Sequence, residues 1–170
     1  GLLVNSNHNV EIKKRDIYTI ALQGPKAIKL TEELIDKKIL SLSFFSFDFF
    51  YFKNTQVLVS KTGYSKQGGF EFLFDNAKIA CEFWDFIIKE GKPFHIKVGC
   101  PNMIERVENS LLSYGNDMTS KDTPFDCSLG KYCSIDMSYD FIGKIALNNY
   151  IKNKEKRNIY RVFFGDSGLN

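Results

Sequence analysis

The sequence predicts an α+β fold assembled from ferredoxin-like units, and three observations carry that expectation. Read along the chain, the candidate elements run β-α-β-β-β-α-β-α. Phe70, Phe72 and Phe74 alternate with Glu71, Leu73 and Asp75, which is the period of a strand with one buried face. Two stretches, Ala27/Ile28/Thr31/Leu34/Ile35 and Ile79/Ala80/Phe83/Trp84/Ile87/Ile88, repeat their apolar residues at helical spacing. No internal repeat or low-complexity segment interrupts this order.

The elements follow from local chemistry. Residues 1–16 are polar and Asn-rich and read as a loop. Ile17–Gln23 is β-prone and stops at Gly24-Pro25, and Pro25 suits the first turn of a helix reaching about residue 37. Phe44–Phe52 and Gln56–Ser60 read as strands joined by a turn at Lys53-Asn54-Thr55, with the phenylalanine run assigned to the core. Thr62 to Gly69 is a glycine-punctuated loop leading into the Phe70–Phe74 strand. Asp75 or Asn76 caps the next helix, which Gly91 and Pro93 end. Phe94–Val98 reads as a short strand. Pro101 opens a helix with Ile104, Val107 and Leu111 as its buried stripe. Residues 113–133 read as loop and short strand, and Asp140 caps a last helix that offers Phe141, Ile145, Leu147 and Tyr150 for burial. A mixed-charge stretch, Lys152–Asn158, leads into a final strand at Ile159–Phe164.

Composition narrows the function classes. The 170 residues are 44% apolar and 25% charged, with sixteen Phe and eight Tyr to build a core. The net charge of +3 is too weak a bias for a nucleic-acid surface. No stretch approaches the roughly 18 apolar residues of a membrane span, and no signal pattern opens the chain, so a soluble cytoplasmic protein is expected. Cys81, Cys100, Cys127 and Cys133 form no C-x-x-C pair, and the two histidines, His8 and His95, lie near none of them except Cys100. Buried free thiols, without zinc or disulfides, are the expectation. The chain has four arginines, Arg15, Arg106, Arg157 and Arg161, and begins with Gly rather than Met, as a processed protein or a piece of a larger one would.

Four residues stand out as chemistry. Glu71 is a carboxylate in an aromatic strand; it is either an ordinary solvent-facing strand residue or a ligand reader whose paired oxygens grip an N–H/NH2 edge such as a pterin or guanine presents. Tyr64 sits in the glycine loop, where Gly63, Gly68 and Gly69 do not compose a phosphate-binding motif. Arg106, flanked by Glu105 and Glu108, is either a surface ion-pair member or a ligand-binding Arg held by a Glu. Tyr114, in the turn Ser113-Tyr114-Gly115-Asn116-Asp117, either packs half-buried or stacks on a planar ligand. No Ser/His/Asp or Cys/His triad can be assembled.

Several segments together resemble a known family. Ile20-Ala21-Leu22-Gln23-Gly24-Pro25, Ser60-Lys61-Thr62-Gly63-Tyr64 through Gly69-Phe70-Glu71, Arg106-Val107-Glu108, Leu112 through Asp117, Thr123-Pro124-Phe125 and Asp140 through Lys144 occur in the order of the glycine-cleavage T-protein family. These are folate-dependent aminomethyltransferases, and the resemblance covers about residues 17–164. It implies a tetrahydrofolate site in a three-lobed α+β fold, with Glu71 as pterin anchor, Tyr64 and Tyr114 as aromatic neighbours and Arg106 from the family's arginine-bearing helix. It implies as partners the small-molecule folate, a methyl or aminomethyl donor and, on the aminomethyl branch, a lipoyl carrier protein. Residues 1–150 then correspond to the second part of the folate-binding domain. Residues 151–170 correspond to a linker and the first strand of a truncated C-terminal β-barrel.

Asn102 stands where the T-proteins carry a second Arg, and the loop reads Ser65-Lys66-Gln67-Gly68-Gly69. The first departs from the glycine-cleavage enzymes proper; the loop, with Ile104-Glu105-Arg106-Val107-Glu108, is similar to the branch containing the dimethylsulfoniopropionate demethylases. The family's catalytic Asp has no counterpart here, so the fragment alone is expected to be inactive. A non-catalytic folate-binding module is the alternative, although its Lys-Gly-Cys-Tyr-x-Gly-Gln signature is absent.

Overall fold

The computed structural model describes residues 11, 13–100, 103–153, 157–160 and 162, in two compact units divided between Glu105 and Arg106. The first unit is a four-stranded antiparallel sheet with helices on one face. Its elements are β1 (Tyr18–Gln23), α1 (Ala27–Leu34), a 3-10 turn (Lys37–Ser41), β2 (Phe47–Phe52), β3 (Thr55–Ser60), β4 (Gly69–Phe74) and α2 (Ala77–Glu90). The strand order is β1-β4-β3-β2, so β1 and β2 are the edges.

The alternation read in the sequence decides which face is buried. Phe70, Phe72 and Phe74 are buried in the core beneath the helices, and the Phe83 ring of α2 lies 4.7 Å from Phe72, 5.1 Å from Phe74 and 5.0 Å from Phe52. Burying one such ring stabilises by roughly 1.5–3 kcal/mol, so this aromatic cluster is the main anchor of helix on sheet. Asn76 supplies the N-cap of α2, its Oδ1 accepting from the Ile79 N–H at 3.2 Å, and Gly91 is the C-cap. The β2–β3 hairpin closes through Lys53-Asn54, with Phe52 opposite Thr55.

Several sequence expectations need correction. The phenylalanine run is not all core: Phe50 and Phe52 face the helices, while Phe44, Phe45, Phe47, Phe49 and Tyr51 are exposed. The strand period sends Phe47, Phe49 and Tyr51 to the open face, and Phe44 and Phe45 precede the strand. The first helix ends at Leu34, short of residue 37, and starts after rather than at Pro25. Phe94–Val98 forms no strand; Lys92–Phe94 is a 3-10 turn and His95 takes a left-handed conformation at φ 60°, which ends any extended run. Cys81 and Cys100 are exposed, Cys133 is partly buried and Cys127 alone of the four is buried; all are free thiols.

The second unit carries less regular structure. Helix α3 (Met103–Glu108) crosses the division between the units. Its expected apolar stripe is reversed: Ile104 and Val107 are exposed, and the buried residue is Arg106. An ion pair, described below, holds that face inward. Beyond it come a 3-10 turn (Gly130–Tyr132) and α4 (Lys144–Lys152). Gly143, not Asp140, is the N-cap of α4; Ile145 is exposed, while Leu147 and Tyr150 are partly buried.

The unit is tied together by Asp126, fully buried, which accepts from the Thr123 N–H and hydroxyl at 2.7 and 2.8 Å, from the Arg157 N–H at 3.0 Å and from the Tyr150 hydroxyl. Burial pushes this carboxyl upward, but the hydrogen bonds from Tyr150, Thr123 and Arg157 outweigh it and hold its pKa at about 2. Of the expected final strand, Ile159, Tyr160 and Val162 are described and none is in a strand; the rest of it, Pro101 and Asn102 lie outside the described residues.

Candidate functional site

Glu71 lies at the middle of β4 on the open face of the sheet, opposite the helices. The register places Ala21 of β1 on one side of it and Ser60 of β3 on the other, with Phe47 next beyond Ser60. The carboxylate is half-buried and held. Thr62 Oγ1 donates to Glu71 Oε2, and the Ser60 and Thr62 hydroxyls lie 2.6 Å apart. Because Thr62 spends its single proton on Glu71, Ser60 must donate to Thr62. The order of donation is therefore Ser60 to Thr62 to Glu71. Among the described residues, the other oxygen of Glu71 has no hydrogen-bond partner.

The glycine loop carries Tyr64, 40% exposed, close in sequence to Thr62. Its end is secured by the Gly24 N–H, which donates to Gly68 O at 2.9 Å, and by Gln67, whose amide donates to the Glu105 carboxylate. Gly69 has φ +135°, and a Cβ there would stand 2.1 Å from the Leu22 carbonyl oxygen. Glycine is thus required where the loop rejoins the sheet beside β1.

In the second unit, Arg106 is 5% exposed. Its guanidinium donates to the Asp117 carboxylate and, at 3.1 Å, to the Leu111 carbonyl. Asp117 also accepts the Ser113 N–H at 2.8 Å. That backbone bond first, and Arg106 after it, hold the Asp117 carboxyl below its ordinary range against the opposing effect of burial. Arg106 is therefore neither a surface ion-pair member nor held by Glu105 or Glu108. It ties helix α3 to the turn 113–118, which a bridge between Tyr114 and Met118 closes. Tyr114 stands out from this turn, 69% exposed, with Gly115 at φ +91° beside it.

The structure thus pairs Glu71 with the loop bearing Tyr64 in the first unit, and Arg106 with the turn bearing Tyr114 in the second. Sequence reading passed over Ser60, Thr62 and Asp117 as site residues. The clue for the first two was available: Ser60 shares the outward phase of Gln56 and Leu58, facing Glu71, and Thr62 is two residues beyond. Among the described residues, no three His, Cys, Asp or Glu side chains gather as a metal site, and no helix is long and apolar enough to cross a membrane.

The GCVT N-terminal domain model matches residues 2–137. The chain belongs to that family. The four-stranded antiparallel sheet with its helices is consistent with the assignment. Among curated relatives, the dimethylsulfoniopropionate demethylase DmdA of Ruegeria pomeroyi is 37% identical over 165 residues, covering 97% of this chain and 45% of the relative. The aminomethyltransferase of Thermotoga neapolitana is 34% identical over 157 residues, covering 88% and 41%. That of Thermoanaerobacter sp. is 33% identical over 171 residues, covering 95% and 45%. The chain spans less than half the length of each of these relatives.

Proposed function

We propose that this protein takes part in a tetrahydrofolate-dependent transfer of a one-carbon unit, with a methylated sulfonium as donor. The observation that carries the folate part is the Glu71 carboxylate. One oxygen is fixed by Thr62, the other is unpartnered among the described residues, and Phe47 and Ser60 lie in the same row of the sheet. A half-buried carboxylate beside apolar surface suits the N–H/NH2 edge of a flat heterocycle, so the residues present fit a pterin. When bound, tetrahydrofolate supplies N5 as the atom that takes up the one-carbon unit.

The chain's own residues bind and orient. Glu71 holds the pterin edge and Tyr64, in the same unit, offers an exposed ring for stacking; Tyr114 is an exposed ring of the second unit taken by itself. Arg106 enters as the residue that fixes the Tyr114 turn, since its Nη atoms are committed to Asp117 and Leu111. Positioning donor and acceptor and keeping water out supply the rate enhancement in such a reaction. The first unit runs β-α-β-β-β-α with strand order β1-β4-β3-β2, which departs from the expected β-α-β-β-α-β of a ferredoxin-like unit because β2, β3 and β4 follow one another as a meander before the second helix. We read residues 1–150 as the second part of a folate-binding domain and residues 151–170 as the approach to a β-barrel. The sulfonium donor is favoured by the 37% identity to the demethylase and by Asn102 at the position of a second Arg.

The test is a donor comparison on the intact protein with tetrahydrofolate. Dimethylsulfoniopropionate should yield 5-methyltetrahydrofolate, and an aminomethylated lipoyl protein should yield no methylenetetrahydrofolate. The reverse outcome assigns the aminomethyl reaction instead. Folate binding without product from either donor makes the chain a non-catalytic folate module.

A further inference from the structure

We infer that Gln23, the last residue of β1, is the positioning residue that sets the Glu71 carboxylate by clamping the loop that carries Thr62. This deepens the reading of Glu71 as the pterin anchor and rests on it. The Gln23 amide group donates to Thr62 O at 3.0 Å and to Phe70 O at 3.2 Å, and Gln23 Oε1 accepts the Ser65 hydroxyl at 2.9 Å. A carboxamide has two N–H donors and one carbonyl acceptor, and here all three functions are used. Two carbonyl oxygens facing the same nitrogen also fix which end of the amide is NH2.

The three partners are the entry, the interior and the exit of the glycine loop. Two of them adjoin the carboxylate: Thr62 donates to Glu71, and Phe70 precedes Glu71 in β4. One side chain therefore fixes both the hydroxyl that holds Glu71 and the backbone that presents it.

The fit leaves no slack. A Cβ on Gly63 would lie 2.1 Å from Gln23 Oε1 and 2.4 Å from its amide carbon, so a glycine at that point makes room for the clamp. Glutamate has the shape but no donor for the two carbonyls, asparagine is one methylene too short, and alanine reaches nothing. Neither motif would reveal this alone, because Gln23 and Gly63 are 40 positions apart in the chain.

The experiment compares Gln23→Glu, Glu71→Gln and the double variant in the intact protein. It reads tetrahydrofolate affinity by calorimetry and hydrogen exchange of residues 61–70 without ligand. Gln23→Glu should weaken tetrahydrofolate binding about tenfold and speed loop exchange by a similar factor, leaving exchange in residues 77–90 unchanged. In the Glu71→Gln background the same change should cost less than about twofold further, because its effect runs through the carboxylate.

An equal loss in both backgrounds, or unchanged loop exchange, overturns the inference. Should Gln23→Glu fail to fold, Gly63→Ala displaces the same amide from the other side and is held to the same outcomes. If Glu71→Gln binds tetrahydrofolate as the unaltered protein does, the cofactor reading falls. Unchanged protection of the loop in Gln23→Glu then overturns the clamp on its own.

Discussion

Replacing Asp117 by Ala would leave the Arg106 guanidinium buried without its carboxylate. The Arg106 side chain is 6% exposed and that of Asp117 is 26% exposed, so the pair sits largely out of water. Removing one member of such a pair costs about 3–5 kcal/mol, because the remaining charge keeps its desolvation penalty. Among the described residues the Leu111 carbonyl at 3.1 Å is the acceptor left to Arg106, and its Nε is already buried without a partner. Water reaches the outer part of Asp117, which places the expected loss near the lower bound, about 3 kcal/mol. Urea unfolding followed by circular dichroism reads this as a midpoint lowered by roughly 1–3 M. A double replacement, Arg106→Met with Asp117→Leu, should cost less than Asp117→Ala alone, since no charge is then stranded. A loss below about 1 kcal/mol for Asp117→Ala, the range of an exposed pair, would refute the assignment of Arg106 as the buried tie of the Tyr114 turn.

Two further outcomes test other joints of the structure. Asp126 has a folded pKa of about 2 against an ordinary 3.8, so its contribution is complete above that ordinary value and is lost as pH falls between the two. Urea midpoints measured at pH 7, 4 and 2.5 should drop across the last interval, and Asp126→Asn, less stable at pH 7, should show a smaller drop there. Gly69→Ala would drive a Cβ into the Leu22 carbonyl from a φ of +135° and should destabilise by about 1–3 kcal/mol, with the amides of β1 losing protection first. An unaltered midpoint would show that the β1–β4 junction relaxes more easily than its geometry indicates.

What the sequence revealed and what it hid have a common physical cause. Local periodicity was enough for β1, the hairpin, the Phe70–Phe74 strand and the capped helix α2, because each is set by neighbours within a few residues. The open face of β2 was misread, since aromatic composition says nothing about which of two alternating sets is covered. Helix α3 failed for a related reason. An apolar stripe at Ile104 and Val107 was visible, but the partner that turns Arg106 inward, Asp117, belongs to a turn beyond the helix. At the site, Glu71 stood out by chemistry alone. The hydroxyls of Ser60 and Thr62 and the amide of Gln23 acquire meaning only when β1, β3 and β4 pair, which no single stretch of sequence displays.

The account turns on Glu71 as the acceptor for a pterin edge, and calorimetric titration of Glu71→Gln with tetrahydrofolate tests that most directly. Loss of a charged hydrogen-bond acceptor in a half-buried site should weaken binding by about 2–5 kcal/mol, roughly thirtyfold or more, with the circular dichroism spectrum unchanged. An affinity within about twofold of the unaltered protein, below the worth of one net hydrogen bond, would contradict it.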